Sequence, residues 1–479
     1  MDALVPAPVH AVAEPAQAFT IEAGTAVHAA GEALEVAEFL AGALRLPVLD
    51  APVADGAITL RLAPAADQHP EGYALRVSRR GIVLAAAAPA GLFAGVQTLL
   101  QLLSSTAHGV RTVAGGQVRD YPRFAHRGAM LDVSRHFFTV GEVRRFIDQL
   151  SRYKMNVLHL HLTDDQGWRL EIKGWPRLAV FGGRTRVGGG PGGHYTQREY
   201  RDLVAYAARR FVTVIPEIDV PGHTTAALAS YPELNPDGVA PDLFTGRGNA
   251  TGFSSLATGL DITYRFMQDV LRELAALTPG PYLHIGTDET HATPEDGVRA
   301  FLGRVLPMVA QHGKRAIGWH EILRSRPDAT VVPQYWGRKP GDPLLTDAVA
   351  RGHQVILSPA DKVYLDMKYD EHTPVGYEWA GHIDVADIYG WDPGAYVADA
   401  PDSAILGVEA PLWAETLRGY ADVELMAFPR LVALAELGWS PRPAHDWPGF
   451  ARRLALQGPT WEAQGVNYCR SPQIPWIAV

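Results

Sequence analysis

The chain has 479 residues, of which 47% are hydrophobic and 20% are charged, a balance typical of a globular protein with a large core. The net charge of −9 argues against the basic surface that nucleic-acid-binding proteins use. The single cysteine, Cys469, excludes an intrachain disulfide, and no apolar run has the length of a transmembrane helix. No signal-peptide pattern opens the sequence, so we expect a cytoplasmic protein, or a secreted one whose signal was trimmed.

The first 120 residues predict a small α+β domain. Strand and helix patterns alternate there, with strands at 58–62, 73–77 and 82–86 and amphipathic helices at 32–44 and 92–103. Consecutive strands beside two helices are typical of α+β architecture. No catalytic constellation stands out, so we assign residues 8–120 a structural role.

From residue 121 onward the sequence alternates between strands and helices. Eight strand patterns occur, at 127–132, 156–162, 211–218, 282–285, 316–319, 331–335, 354–357 and 405–408. Helix patterns occur at 140–154, 262–277, 297–311, 423–437 and 450–462. This alternation implies parallel strand pairing, and eight strands fit a (β/α)8 TIM barrel. We therefore predict an α/β barrel over residues 121–479, preceded by the α+β domain.

One stretch, residues 281–291, points to the chemistry of this barrel. An apolar strand from Tyr282 to Ile285 stops at Gly286 and is followed by two adjacent acids, Asp288 and Glu289. Successive side chains of a strand point to opposite faces, so two neighbouring acids share a pocket only where the strand has ended and the chain curves. In a barrel, that C-terminal end of the strands is where active sites lie.

Charged and aromatic residues follow the other predicted strands as well. They include Arg135, Asp164, His223, Trp319, Trp336, Tyr364, Asp366, Trp413 and Glu415. Flat indole walls beside carboxylates suit a sugar ring, because its C–H faces pack on aromatic rings while its hydroxyls pair with charged groups. The pattern thus favours carbohydrate binding at this end of the barrel.

Two other chemistries deserve comparison. His159-Leu-His161 has the His-x-His spacing of some metal-dependent hydrolases, although both side chains can equally be satisfied core groups. No further ligand set clearly completes a metal site, so we predict neither a metal nor another cofactor. Ser-His-Asp catalysis needs an activated serine, and the sequence has no Gly-x-Ser-x-Gly elbow.

The motifs at the strand ends match a known family in their order. They are Pro122-Arg-Phe-Ala-His-Arg-Gly-Ala-Met-Leu-Asp-Val-Ser-Arg-His136, Asn156-Val-Leu-His-Leu-His-Leu-Thr-Asp-Asp165, Pro216-Glu-Ile-Asp-Val-Pro-Gly-His223, Gly318-Trp-His-Glu321 and Leu412-Trp-Ala-Glu415. With them the chain resembles the family 20 glycoside hydrolases, the β-N-acetylhexosaminidases. His284–Glu289 is similar to that family's His-x-Gly-Gly-Asp-Glu signature, except that Thr287 replaces the second glycine and could alter the turn.

The resemblance implies an exo-acting hydrolase for terminal β-linked GlcNAc or GalNAc of chitooligosaccharides or glycans. This family is among the substrate-assisted exceptions, in which the 2-acetamido carbonyl of the sugar attacks C1 and gives an oxazolinium intermediate with net retention. Glu289 is then the general acid and base, with a pKa raised by a dry aromatic pocket. Asp288 accepts the acetamido N–H, and Tyr364 donates to the acetamido oxygen.

The resemblance also assigns roles around the sugar. The walls of the acetamido pocket are Trp319, Trp336 and Trp413. The ring hydroxyls are held by Arg135 and Glu415, with Asp366 nearby. Asp164 and His223 position Glu289 and tune its pKa, and Trp379 stacks on the next sugar. Two alternatives stay open: a lacto-N-biosidase-like enzyme that releases disaccharides, and a sugar-binding barrel that has lost activity. The sequence makes no prediction about the oligomeric state.

Overall fold

The computed structural model describes residues 1, 3–50, 55–63, 69–105, 109–247, 251–398 and 400–477. The predicted end of the barrel, residue 479, lies outside these ranges. Within them, the N-terminal part has strands β1 His10–Ala13, β2 Phe19–Ile21, β3 Val27–His28, β4 Val48–Leu49, β5 Ala57–Leu62, β6 Tyr73–Ser78, β7 Gly81–Ala86, β8 Leu103–Ser105, β9 Arg111–Val113 and β10 Gly116–Asp120. Its α-helices are α1 Leu34–Leu44 and α2 Pro89–Gln101.

The N-terminal strands form one large and one small sheet. The large sheet has the order β1-β10-β6-β7-β5-β3-β4, and the small sheet has the order β2-β9-β8. Strands β6 and β7, which cover the predicted strands at 73–77 and 82–86, form an antiparallel hairpin with Ser78 opposite Gly81. The apolar faces of α1 and α2 pack on the sheet, so that Leu40, Leu60 and Val96 are fully buried in a core separate from that of the barrel.

The second part is a closed barrel of eight parallel strands. Its strands are β11 His126–Asp132, β12 Val157–His161, β15 Thr213–Glu217, β16 Tyr282–His284, β17 Arg315–Trp319, β18 Val332–Tyr335, β19 Val355–Leu357 and β20 Ile405–Leu412. Between β12 and β15, strands β13 Thr163–Asp164 and β14 Gly167–Trp168 form a short hairpin outside the barrel. The predicted fold class, a (β/α)8 TIM barrel preceded by a small α+β domain, is confirmed.

Helices surround the barrel. They are α3 Val140–Arg152, α4 Gln197–Ala208, α5 Thr225–Ser230, α6 Asp261–Leu277, α7 Glu295–Gln311, α8 Pro343–Ala350, α9 Ala360–Val363, α10 Val385–Tyr389, α11 Tyr420–Ala427, α12 Arg430–Trp439, α13 Trp447–Ala455 and α14 Gly458–Ala463. Thr139 caps the N-terminus of α3: its hydroxyl accepts from the N–H of Glu142 while the Glu142 carboxylate accepts from the N–H of Thr139, a capping box. None of the helices in the described residues is both long and apolar enough to cross a membrane.

Two predicted helices are each divided in two, and proline explains both breaks. The pattern over 423–437 predicts one helix, but α11 ends at Ala427 and α12 begins after Pro429. The pattern over 450–462 likewise spans α13 and α14, and Pro459 lies in the first turn of α14. Proline lacks the N–H for the helical ladder and clashes with the preceding turn, yet is well tolerated in a first turn.

A buried polar cluster joins the N-terminal domain to the barrel. Asp120 Oδ2, at the end of β10, accepts hydrogen bonds from Lys154 Nζ at 2.9 Å, Tyr73 Oη at 2.8 Å and Trp439 Nε1 at 2.9 Å. Its Oδ1 accepts the backbone N–H groups of Val9 and Tyr121 at 3.0 and 3.1 Å. This carboxylate therefore has hydrogen-bond donors on both oxygens, as a buried charge requires.

Candidate active site

The chain turns sharply just after β16. Gly286, Thr287 and Glu289 all have left-handed backbone angles, with φ of +62°, +84° and +45°. Only glycine fits the first position, because a Cβ there would lie 1.7 Å from Oδ1 of Asp219. The same Oδ1 accepts the Thr287 N–H at 3.0 Å. The threonine thus keeps a conformation that glycine adopts more easily, and the turn directs Asp288 and Glu289 into one cavity.

This cavity opens at the C-terminal end of the barrel strands. Its lining consists of Arg135, His223, Thr251, Asp288, Glu289, Trp336, Tyr364, Asp366, Tyr377, Trp379, Trp413 and Glu415. Trp379 is 49% exposed at the mouth, where its ring lies 5.8 Å from that of Tyr364 and 6.3 Å from that of Trp336. The cavity thus combines an aromatic wall with a set of carboxylates.

The cavity contains several buried carboxylate oxygens. Among the described residues, Asp288 Oδ1, Asp366 Oδ1 and Glu415 Oε2 have no hydrogen-bond partner. Burial and the neighbouring Glu415 raise the pKa of Asp366 well above its usual range. An unpaired buried acceptor costs on the order of 1–3 kcal/mol, so a ligand with several N–H or O–H donors would relieve this arrangement.

Charged residues support the adjacent acids from behind. Nδ1 of His223 lies 3.2 Å from Asp164 Oδ1, and its Nε2 lies 3.5 Å from Glu289 Oε2 and 3.8 Å from Asp288 Oδ2. Arg135 contacts the other oxygen of Asp164 at 2.8 Å and stacks over the Trp413 ring at 4.8 Å. His223 therefore lies between Asp164 and the adjacent acids.

The two adjacent acids hold protons unequally. Burial raises the pKa of Asp288 to about 7, against the opposing effect of His223 and with a further increase from Glu289. Burial also raises the pKa of Glu289, but the hydrogen-bonding and positive charge of His223 more than offset this, so the net pKa is lowered. The expected raised pKa of Glu289 is therefore wrong, because the positive charge of His223 outweighs the aromatic pocket. Of the two acids, Asp288 therefore keeps its proton to the higher pH.

Comparison with known proteins identifies the family. The model of the glycosyl hydrolase family 20 catalytic domain matches residues 124–442, and the model of domain 2 of the same family matches residues 2–121. The chain belongs to glycosyl hydrolase family 20. It is 41% identical over 423 residues to a β-N-acetylhexosaminidase of Cellulomonas fimi, a match that covers 88% of this chain and 85% of that protein.

Solved structures of family 20 enzymes resemble this one closely. The β-N-acetylhexosaminidase of Streptomyces coelicolor A3(2) is 51% identical with a TM-score of 0.95, and the match covers 99% of both chains. A mutant Streptomyces plicatus β-hexosaminidase in complex with its product GlcNAc is also 51% identical, with a TM-score of 0.94 over 99% of this chain and 98% of that one. The resemblance predicted from the motifs is thus confirmed at the level of the family.

The family 20 fold brings ten of the twelve predicted site residues to the cavity lining and leaves two behind it. Asp164 is 2% exposed and contacts Arg135 and His223 instead of the cavity. Trp319 is 1% exposed, lies 5.7 Å from the Trp413 ring and donates its indole N–H to Glu217 at 2.9 Å. The expected contact of Trp319 with the acetamido group stays a prediction.

Two lining residues, Thr251 and Tyr377, are absent from the sequence prediction. Tyr377 lies two residues before Trp379 in the long segment after β19, and its buried hydroxyl has no partner among the described residues. Its position close to Trp379 in the sequence is the signal from which Tyr377 could have been predicted. Thr251 lies in a polar loop between α5 and α6, where the sequence offers no signal.

The His-x-His pair of β12 lies in the barrel interior below the cavity. His159 contacts Glu409 at 2.7 Å and Glu217 at 3.0 Å, and His161 contacts Glu217 and also Asp164 at 2.9 Å. The ligand atoms of His159, Glu217 and His284 lie close enough together to surround a cation. The contacts that His159 and His161 make with carboxylates agree with the reading of both as satisfied core groups.

Proposed function

We propose that this family 20 hydrolase is an exo-acting β-N-acetylhexosaminidase that releases terminal GlcNAc or GalNAc from chitooligosaccharides or glycans. The observation that carries the proposal is the set of buried oxygens of Asp288, Asp366 and Glu415, which have no partner within the described part of the chain and lie beside an aromatic wall. An N-acetylated sugar offers the matching donors: one amide N–H and several hydroxyls. Its flat C–H faces and acetamido methyl suit Trp336 and Trp413.

In the first step, the acetamido oxygen attacks C1 and the C1–O bond to the leaving group breaks. Glu289 gives its proton to the departing oxygen, which completes the leaving alcohol. The ring that forms carries a positive charge, and the Asp288 carboxylate stabilises it while accepting the N–H. Burial and Asp366 keep the pKa of Tyr364 well above its usual range, so its hydroxyl remains a donor for the acetamido oxygen.

Because the adjacent acids differ in proton affinity, substrate binding also has to shift a proton from one to the other. The pKa of Asp288 lies above that of Glu289, whereas catalysis requires the proton on Glu289. The bound amide N–H favours the ionised form of Asp288, and exclusion of water by the sugar favours the neutral form of Glu289. Binding of an acetamido sugar therefore moves the proton to the group that uses it.

In the second step, water attacks C1 from the face that the leaving group vacated. Glu289, now a carboxylate, takes a proton from this water, and the C1–O bond to the acetamido oxygen breaks. The product is the sugar with retained configuration, and Glu289 is again protonated. No atom of the protein forms a covalent bond to the sugar in this sequence.

The direct test compares two aryl glycosides that differ only at C2. We expect rapid release of nitrophenol from the β-glycoside of GlcNAc and none from the β-glucoside, measured at equal concentrations. Equal cleavage of both would contradict participation of the acetamido group. Binding of GlcNAc without cleavage of either substrate would contradict the proposal and favour a sugar-binding or disaccharide-releasing protein.

A further inference from the structure

The mechanism leaves unexplained why a histidine, His161, lies directly below the site. It is the last residue of strand β12, is fully buried, and contacts Asp164, Glu217 and Trp413. Its Nε2 lies 2.9 Å from Asp164 Oδ2, its Nδ1 contacts Glu217 Oε2, and its ring packs edge-on against Trp413 at 4.9 Å. Both Asp164 and Trp413 support the cavity above.

Both ring nitrogens of His161 face carboxylate oxygens, which determines its protonation state. A neutral imidazole donates from only one nitrogen, whereas an imidazolium donates from both. Burial alone would lower the pKa of His161, but the charge of Glu217 and the bonds to Asp164 and Glu217 raise it well above its usual value. The ring is therefore a fixed cation with two directed donors.

Glu217 in turn holds His161 in place. Its Oε2 accepts from His161 Nδ1 and from His159 Nε2 at 3.0 Å, and its Oε1 accepts the indole N–H of Trp319 at 2.9 Å. Glu409 anchors the far side of His159 at 2.7 Å. The carboxylate thereby ties His161 and Trp319 to the same rigid strand end, since it belongs to β15.

We propose that His161, held by Glu217, is a positioning residue for the proton-transfer pair. It fixes Asp164, which orients His223 against Glu289, and it supports the Trp413 wall. The other charged groups facing His161 are Asp132 and Asp219, and neither forms a hydrogen bond with it among the described residues. The proposal rests on the proposed glycosidase function, because it concerns the acid of that reaction.

Two substitutions separate the two bonds of His161. The amide nitrogen of His161→Gln reproduces the position of Nε2 and keeps a donor for Asp164, whereas that of His161→Asn reproduces Nδ1 and keeps a donor only for Glu217. Both variants lose the cation and the ring. We expect kcat on the aryl β-glycoside of GlcNAc to fall by about 10- to 100-fold in His161→Asn and several-fold less in His161→Gln, because misplacement of a catalytic group is costly. KM should change by less than about threefold, since His161 does not line the cavity.

The pH profile gives a readout that a purely structural residue would not change. Loss of the His161 cation favours the protonated form of nearby carboxylates, so the basic limb of kcat/KM should move upward by about half a pH unit in both variants. His353→Gln is the matched control: His353 is also buried and bonds the Val331 carbonyl at 2.8 Å, but lies outside the cavity and this network. It should lower the melting temperature without moving the limb.

The outcomes distinguish this inference from the proposed function. An inactive wild-type protein would overturn the function itself. An active wild type with equal kcat in both His161 variants, with a larger loss in His161→Gln, or with unshifted pH limbs would overturn the positioning role alone. If neither variant folds, Glu217→Gln takes their place, with the same expected loss of kcat and an unchanged KM. If that variant also fails to fold, the network serves folding and the inference is wrong.

Discussion

Two buried acidic regions of this molecule are built in opposite ways. At the domain interface, Asp120 receives five hydrogen bonds, among them one from the buried ammonium of Lys154. In the cavity, Asp288, Asp366 and Glu415 each keep an oxygen without a donor among the described residues. The first region is complete in the folded chain, whereas the second becomes complete only with a ligand.

The difference shows where folding and function diverge in one chain. A fully bonded buried carboxylate stabilises a unique arrangement, but breaking its pair is costly because a charge is left behind. Unpaired carboxylates reduce stability, and binding sites retain them for the interactions they make with substrate. Substitutions in the interface should therefore change stability, and those in the cavity should change activity.

The largest expected effect is at the adjacent acids. Asp288→Asn and Glu289→Gln should each lower kcat by about 10²- to 10⁴-fold, because one loses the stabilising charge and the other the proton donor. Steady-state kinetics on the aryl β-glycoside of GlcNAc measure this loss, and thermal unfolding measures the stability of each variant. The melting temperature of Asp288→Asn should equal or exceed that of the wild type. A large loss of stability with near-native kcat would remove the contrast between the two regions.

The complementary change is Asp120→Asn at the interface. It removes the partner of Lys154, which is 5% exposed, and should lower the free energy of unfolding by about 3–5 kcal/mol. The kcat of the folded fraction should not change. Denaturant unfolding measures the free energy of unfolding. Asp402→Asn is the control: the Asp402 side chain is 57% exposed, so its ion pair with Arg123 should contribute less than about 1 kcal/mol. Equal losses in both variants would contradict the argument.

A third prediction concerns pH. The active form carries one proton on the Asp288–Glu289 pair, and this proton is lost with an apparent pKa near 7, the pKa to which burial raises Asp288. The value of kcat/KM should therefore fall about tenfold per pH unit above roughly 7. The acid limb should lie below the usual range of a glutamate, since the pKa of Glu289 is lowered. In Asp288→Asn the residual activity should lose its basic limb near 7 and decline at lower pH, and an unchanged limb would assign it to another group.

Sequence patterns predict the barrel, but they do not predict the contacts between the polar residues in its interior. Alternating strands and helices predict the fold, and motifs at the strand ends predict Arg135, Tyr364 and Trp413 at the cavity. The last strand was predicted to end at Val408, whereas β20 continues to Leu412 because the buried Glu409 pairs with His126 and His159. A charged residue inside an apolar run looks like a boundary until its partners, 250 and 283 residues away, are known.

The electrostatics of the site escaped sequence reasoning for the same reason. The pKa of Glu289 depends on His223, which lies 66 positions earlier in the numbering and 3.5 Å away in space. A local pattern shows the aromatic residues that bury the acid, but not the cation that opposes their effect. Likewise, Glu217 belongs to a quoted motif, yet only the folded barrel shows that it joins His161 to Trp319.

The smallest expected effect tests the turn that presents the acids. Thr287 is 2% exposed and has a φ of +84°, a strained value for a β-branched residue. Thr287→Gly removes this strain, of order 1–3 kcal/mol, but adds freedom to the unfolded chain, so the free energy of unfolding should rise by about 1 kcal/mol at most. Gly286→Ala is the opposed control and should be strongly destabilising, since its Cβ would collide with Asp219. If Thr287→Gly lowered stability by more than about 1 kcal/mol, packing of the threonine methyl would outweigh backbone strain at this turn, and Thr287 would belong with the stabilising region rather than the functional one.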